Sequence, residues 1–236
     1  MSMAKTETVE YLVVSPHPDD AELGMGGTIA KLVRAGRRVG VSDLTCGEPT
    51  PFGTPEKRRA ETKAASQVLG LTHRENLGLR NRELEPTLEA RVKVAEAFRR
   101  LRPRVLFVPH WNDAHPDHLA ATQLCIQARF HARLTKTEMA GDPHYSERLI
   151  FYYCTHLRTH ADVAFVVDIS EEFEAKKRAI ECYQSQFFEG RGREAGAVVA
   201  YVADVCRYWG QMINRSYGEP FAVQEPLGLA DLDGVI

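Results

Sequence analysis

Apolar residues fall into short β-branched runs that alternate with longer stretches carrying apolar side chains at helical spacing. Tyr11 to Ser15 (YLVVS) is a run of the first kind and stops at Pro16, which predicts a buried strand whose carboxyl end opens into a loop. From Gly27 to Ala35 (GTIAKLVRA), Ile29, Leu32 and Val33 recur on one helical face, with Thr28 placed to cap the helix and Gly36 to end it. A second strand over Val39 to Leu44 completes a βαβ unit of roughly 30 residues. Thr54 to Leu69, with Pro55 near its start and Gly70 after its end, shows the asymmetry of a helix. Thr87 to Leu101 is amphipathic and precedes a buried strand, Arg104 to Val108 (RVLFV). A helix after Pro116, strands near Leu149 to Tyr153 and Ala164 to Ile169, and a helix from Ser170 to about Phe187 continue the pattern. Glu189 to Gly196 (EGRGREAG) reads as a connector in preference to a mobile loop over a site, and residues 221–236 read as an irregular tail. Alternation of this kind predicts one α/β domain over 1–236, with a mostly parallel sheet, helices on both faces and ligands at the carboxyl ends of its strands.

Composition narrows the functions this fold could serve. A hydrophobic content of 44% is ordinary for a globular protein, and 30 basic against 32 acidic side chains leave a formal net charge of -2. No strong field holds a polyanion or an anionic membrane, so neither nucleic acid nor membrane is expected as a partner. Cys46, Cys125, Cys154, Cys182 and Cys206 lack C-x-x-C spacing and suit a reducing compartment as small apolar fillers. The polar opening MSMAKTETVE has no signal-peptide order, and no segment approaches about 18 consecutive apolar residues. The expectation is a soluble cytoplasmic protein.

Two clusters of metal-competent side chains follow predicted strands: His17-Pro18-Asp19-Asp20, and Asp113-Ala114-His115-Pro116-Asp117-His118. In a parallel sheet both hang over the same edge. A catalytic zinc site needs three protein ligands from imidazole and carboxylate plus one open position, a set that His17, Asp20 and His118 supply. Asp19, beside a ligand, is the candidate general base that would return the proton to the leaving group. His115 is the candidate donor to an oxyanion, with Asp117 behind it as the carboxylate that holds an imidazole in place. Single His-x-x-Asp or His-x-x-His matches are common by chance, so the argument rests on two clusters converging. His73, His131, His144 and His160 read as surface or capping groups, and His110 and His156 stay outside the site. Gly24-Met25-Gly26-Gly27 lacks the third glycine of a dinucleotide fingerprint and reads as close packing beneath the metal loop. Asp43, at a strand end, has a structural reading as well as a ribose-binding one, and Lys57-Arg58-Arg59 is either a solvated face or a substrate contact.

The strand followed by SPHPDDAELGMGGTIA, and the later HPDH, resemble the PIG-L or LmbE-like superfamily of zinc N-deacetylases. The similarity extends to KRRAETKAA, NLGLRNREL, YQSQF and YGEPF, and within the superfamily it points to the bacillithiol-pathway enzymes that deacetylate N-acetylglucosaminyl malate. The resemblance implies a Rossmann-like three-layer sandwich without bound nucleotide and a trimer-based hexamer. It also implies Zn2+ on His17, Asp20 and His118, Asp19 as base, and His115 with Arg58 at the oxyanion. Ala114 departs from close relatives, which can carry arginine there, and leaves Arg191 or Arg193 as candidate partners for a malate carboxylate. The alternatives are another N-acylated glycoside or thiol conjugate as substrate, Fe2+ on the same ligands, and a non-catalytic sugar-binding module.

Overall fold

A computed structural model describes residues 8–229. The apolar runs become the middle of a seven-stranded sheet and the amphipathic stretches its covering helices. In chain order these are β1 (Tyr11–Ser15), α1 (Asp20–Arg34), β2 (Val39–Thr45), α2 (Pro55–Leu69), β3 (His73–Leu79), α3 (Leu88–Leu101), β4 (Val105–Pro109), α4 (Pro116–Ala132), β5 (Arg148–Tyr152), β6 (Phe165–Asp168), α5 (Phe173–Glu181), α6 (Gln184–Phe187), a 3₁₀ turn (Gly192–Glu194), α7 (Ala197–Met212) and β7 (Gly218–Ala222). The strand order is β3-β2-β1-β4-β5-β7-β6, parallel from β3 to β5, with β7 antiparallel to both of its neighbours. Val13 of β1 pairs with Val41 on one side and Phe107 on the other. The connection reverses direction between β1 and β4, so the crevice at their carboxyl ends is the topological switch point where open α/β sheets place ligands.

Each sheet face is sealed by its own apolar cluster. Leu12, Val14, Leu106 and Val108 pack beneath Phe98 and Leu124 of α3 and α4, while Val13, Val41 and Phe107 meet Met25, Ile29 and Ala179. Burying side chains of this size is worth about 1.5–3 kcal/mol each. Thr54 and Thr87 accept hydrogen bonds from Lys57 N and Ala90 N at 3.2 Å, and Gly70 ends α2 in the left-handed conformation at φ 67, so the predicted bounds of α2 and α3 stand nearly unchanged.

Helix α1 starts at Asp20, seven residues before the predicted Gly27, and breaks at Met25 (φ −147, ψ 24). A break inside a buried helix strands backbone groups that need partners. Glu219 and Lys176, each 1% exposed, supply them. The Glu219 carboxylate accepts from Gly27 N (2.9 Å), Thr28 N (2.7 Å) and Thr28 Oγ1 (2.6 Å), and Lys176 Nζ donates to Leu23 O (2.7 Å) and to Glu219 (2.6 Å). Thr28 therefore donates its hydroxyl to Glu219, which does the capping from β7. The glycines give the close approach expected of them: a Cβ on Gly24 would lie 2.5 Å from the Tyr152 ring, and one on Gly27 2.6 Å from Ile169.

Other expectations change. Residues 221 and 222 belong to β7, inside the stretch read as a tail, and the end of that stretch from 230 lies outside the described residues, as do residues 1–7. The single helix expected over Ser170 to Phe187 is two, α5 and α6. Cys125, Cys154 and Cys206 are buried as expected, but Cys46 is exposed and Cys182 partly so. Among the described residues no helix is long and apolar enough to cross a membrane.

Candidate metal centre and its cavity

The loop after β1 and the loop leading into α4 meet at the switch point. His17 lies between β1 and α1, Asp20 in the first turn of α1, and His118 in the first turn of α4. His17 Nδ1 is 3.1 Å and His118 Nε2 3.2 Å from the same oxygen, Asp20 Oδ2. The three donor atoms lie within 4.8 Å of one another. His118 Nε2 is buried, and its contact with Asp20 Oδ2 falls short of hydrogen-bond geometry, so the nitrogen points among the other donors without being satisfied by them. Two imidazoles and one carboxylate form a borderline-hard donor set suited to Zn2+ or Fe2+, so the residues fit a divalent cation.

The remaining ring nitrogens are also held. His17 Nε2 lies 3.0 Å from Asp117 Oδ2, and His118 Nδ1 3.1 Å from Asp113 Oδ2. Each imidazole thus has a carboxylate behind it, an arrangement that fixes tautomer and orientation in metal sites. Although burial opposes charge, Asp117 and Asp20 hold His17 up at about 9, and Asp20 chiefly holds His118 well above its ordinary value. Cys154 Sγ also approaches His118 and Asp113, and burial pushes its thiol up to about 12.

Asp117 departs from the expected pairing. Its carboxylate serves His17 and the backbone N–H groups of Arg82 (2.8 Å) and Leu84 (3.4 Å), not the His115 ring. His115 caps α4 instead: its Nδ1 accepts from Asp117 N at 3.1 Å. Burial, then the neighbouring imidazoles of His118, His17 and His156, push His115 down to about 4. With Nδ1 accepting, the proton of the neutral ring sits on Nε2, the nitrogen from which a neutral His115 can donate.

Asp19 is the N-cap residue of α1 at φ 121, a left-handed geometry unusual outside glycine. Burial pushes its carboxyl up to about 7, opposed by the Arg58 guanidinium and reinforced by the Asp20 charge. Arg58, 3% exposed, reaches from α2 to donate from Nη1 to Asp19 Oδ2 (2.7 Å) and Pro18 O (2.6 Å), with Nε 3.4 Å from Glu48. Expected beside His115 at an oxyanion, Arg58 has its direct contact with Asp19. Arg59 lines a separate cavity behind α2. Asp43 is taken by Arg74 at 2.9 and 3.0 Å, the structural use of a strand-end aspartate.

His17, Asp19, Asp20, Arg58 and His115 line a cavity of about 370 Å3, within the range of small-molecule sites, and His118 lies buried behind them. His156, left out of the site on sequence grounds, lines it with its ring 5.0 Å from that of His115. His110 is a packed histidine, stacked 4.0 Å from Trp111 and 4.5 Å from Tyr153. The segment Glu189 to Gly196 is more than a connector, because Arg191 and Glu194 form part of the wall, whereas Arg193 does not. Asp113 could have been found by asking what holds the far nitrogen of His118. Arg82 and Gln186 carried no comparable signal.

Comparison with known proteins adds a family. Residues 12–129 match the PIG-L family, described as GlcNAc-PI de-N-acetylase. The diacetylchitobiose deacetylase of Thermococcus kodakarensis is 33% identical over 225 residues, covering 89% of this chain and 81% of its own length. A probable N-acetyl-alpha-D-glucosaminyl L-malate deacetylase from Bacillus anthracis is 28% identical over 75% of this chain and 80% of its own. Among solved structures, a conserved protein from Thermus thermophilus superposes with a TM-score of 0.86 at 41% identity, covering 94% of this chain and 98% of that one.

Proposed function

The chain belongs to the PIG-L family of N-deacetylases, and from that premise we propose that it hydrolyses the acetamide of N-acetylglucosamine joined to a small aglycone, N-acetylglucosaminyl malate foremost, with Zn2+ held by His17, Asp20 and His118. The observation that carries this reading is the convergence of three donor atoms within 4.8 Å, each imidazole backed by a carboxylate. The same donors accommodate Fe2+.

When bound, the ion supplies Lewis-acid polarisation of a carbonyl and acidifies water. The chain's own residues do the rest. Asp19, raised to about 7, takes a proton from the attacking water at its carboxylate and returns it to the departing amine. Arg58 positions Asp19 by a 2.7 Å hydrogen bond and favours the ionised form needed for the first transfer. His115 Nε2–H donates to the developing oxyanion, its ring set by the bond at Nδ1. The buried floor limits access by bulk water.

The malate glycoside is supported by the Bacillus anthracis relative and by the arginines in the cavity wall. A second reading, diacetylchitobiose, is favoured by the higher identity and coverage of the Thermococcus kodakarensis relative. Acetate release from the two substrates and from free N-acetylglucosamine separates these readings. Preference for the malate glycoside is expected; preference for the disaccharide transfers the assignment to it, and hydrolysis of none of them removes N-acetylglucosamine as the acyl carrier.

A further inference from the structure

Arg82 stands at φ 66, in the left-handed region that asparagine and glycine enter readily and arginine does not. The surroundings hold it there. Its backbone N–H donates to Asp117 Oδ2 at 2.8 Å, Leu84 N approaches Asp117 Oδ1 at 3.4 Å, and its Nη2 donates to Pro49 O at 2.7 Å. Glycine would satisfy the first two bonds with less strain, so what arginine adds at this position is its side chain. That side chain lies in the wall of the catalytic cavity.

The cavity's charges divide by use. Asp20 is committed to the imidazoles, and Asp19 and Arg58 to each other. Beyond that centre the wall carries Arg82, Arg191 and Glu194, a net positive rim. Among the described residues Arg82 has no carboxylate partner, and its one side-chain hydrogen bond leaves other guanidinium donors for a ligand. Asp117 Oδ2, which holds Arg82 N, also holds His17 Nε2, so the root of the arginine is fixed relative to the metal ligands.

We infer that Arg82 reads the aglycone: its guanidinium pairs with a carboxylate on the group joined to N-acetylglucosamine, selecting acidic conjugates over neutral ones. A planar fork of donors matches a carboxylate and loses that match when the acid is esterified. The inference rests on the deacetylase reading above and narrows its substrate class.

The test measures kcat/KM for N-acetylglucosaminyl malate, its dimethyl ester and diacetylchitobiose, using the wild type, Arg82→Gly and Arg82→Asn, with melting temperatures alongside. Both replacements tolerate the left-handed backbone. The wild type should favour the diacid over its ester, and each variant should lose about 10- to 100-fold on the diacid alone, through KM, as expected for a lost charged hydrogen bond. Arg82→Gly should melt no lower than the wild type. An equal fall on all three substrates would make Arg82 part of the Asp117 scaffold, and an unchanged diacid preference in the variants would remove it from recognition. Failure of the wild type to distinguish diacid from ester overturns the acidic aglycone, while acetate release from any of the three leaves the deacetylase reading standing.

Discussion

At and just behind the floor of the cavity, His17 and Asp20 in its lining and the buried His118 and Asp117 each have at least two polar partners, all within 3.4 Å and supplied by different segments of the chain. At the rim the ties are single and solvent-facing: Lys57 Nζ to Glu189, Arg191 over the Phe52 ring at 5.9 Å, and Arg82 to Pro49 O. The floor grows from strand ends at the switch point, the rim from loops. Such a division lets the rim vary its contacts without disturbing the floor.

The contrast can be broken by substitution. Asp19→Ala removes the proposed base but no metal donor. Its kcat should fall by about 10²- to 10⁴-fold while zinc content by elemental analysis stays at the wild-type level. Near-normal turnover would take Asp19 out of the mechanism.

Beneath the floor, the Glu219 carboxylate outweighs burial and holds the pKa of Lys176 above its ordinary value. Glu219→Ala leaves Lys176 buried without its counter-charge and uncaps the second segment of α1. A loss of about 3–5 kcal/mol in urea unfolding is expected. A loss below about 1 kcal/mol, the scale of a surface ion pair, would show that the break in α1 does not depend on the pair.

Asp113→Asn keeps the shape but weakens the hold on His118 Nδ1. Zinc affinity, measured by competition with a chromophoric chelator, should drop by about 10- to 100-fold. Equal affinity in mutant and wild type would mean the 3.1 Å contact is incidental.

The smallest effect belongs to the rim. Lys57→Ala cuts an exposed tie between the first turn of α2 and the segment after α6, and stability should change by less than about 1 kcal/mol. A large loss of kcat from this change would erase the distinction between floor and rim.

The floor was largely legible in the sequence because strand ends constrain position: once YLVVS and RVLFV read as strands of one parallel sheet, their loops had to share one edge, and the pairing of β1 with β4 brings His17, Asp20 and His118 together there. The partner of Asp117 was not legible. Nearness in sequence suggested His115, whereas the fold brings Asp117 to His17, 100 positions away. Strand β7 was hidden by Pro220, which argues against a strand inside a sheet. It is tolerated because β5 pairs only with residues 221 and 222 of β7. The start of α1 was hidden by its glycines, since the groups that make the break affordable, Glu219 and Lys176, lie some 150 or more positions away. Arg82 could not be found at all, because its distinguishing feature is a backbone angle.

The most direct test of the central claim is acetate release from N-acetylglucosaminyl malate by the purified protein before chelation, after chelation, and after return of one equivalent of Zn2+, with bound metal determined at each stage. Loss of activity with the metal and its recovery at a one-to-one ratio is the predicted result. Undiminished turnover by protein shown to be free of metal would contradict the account at its centre.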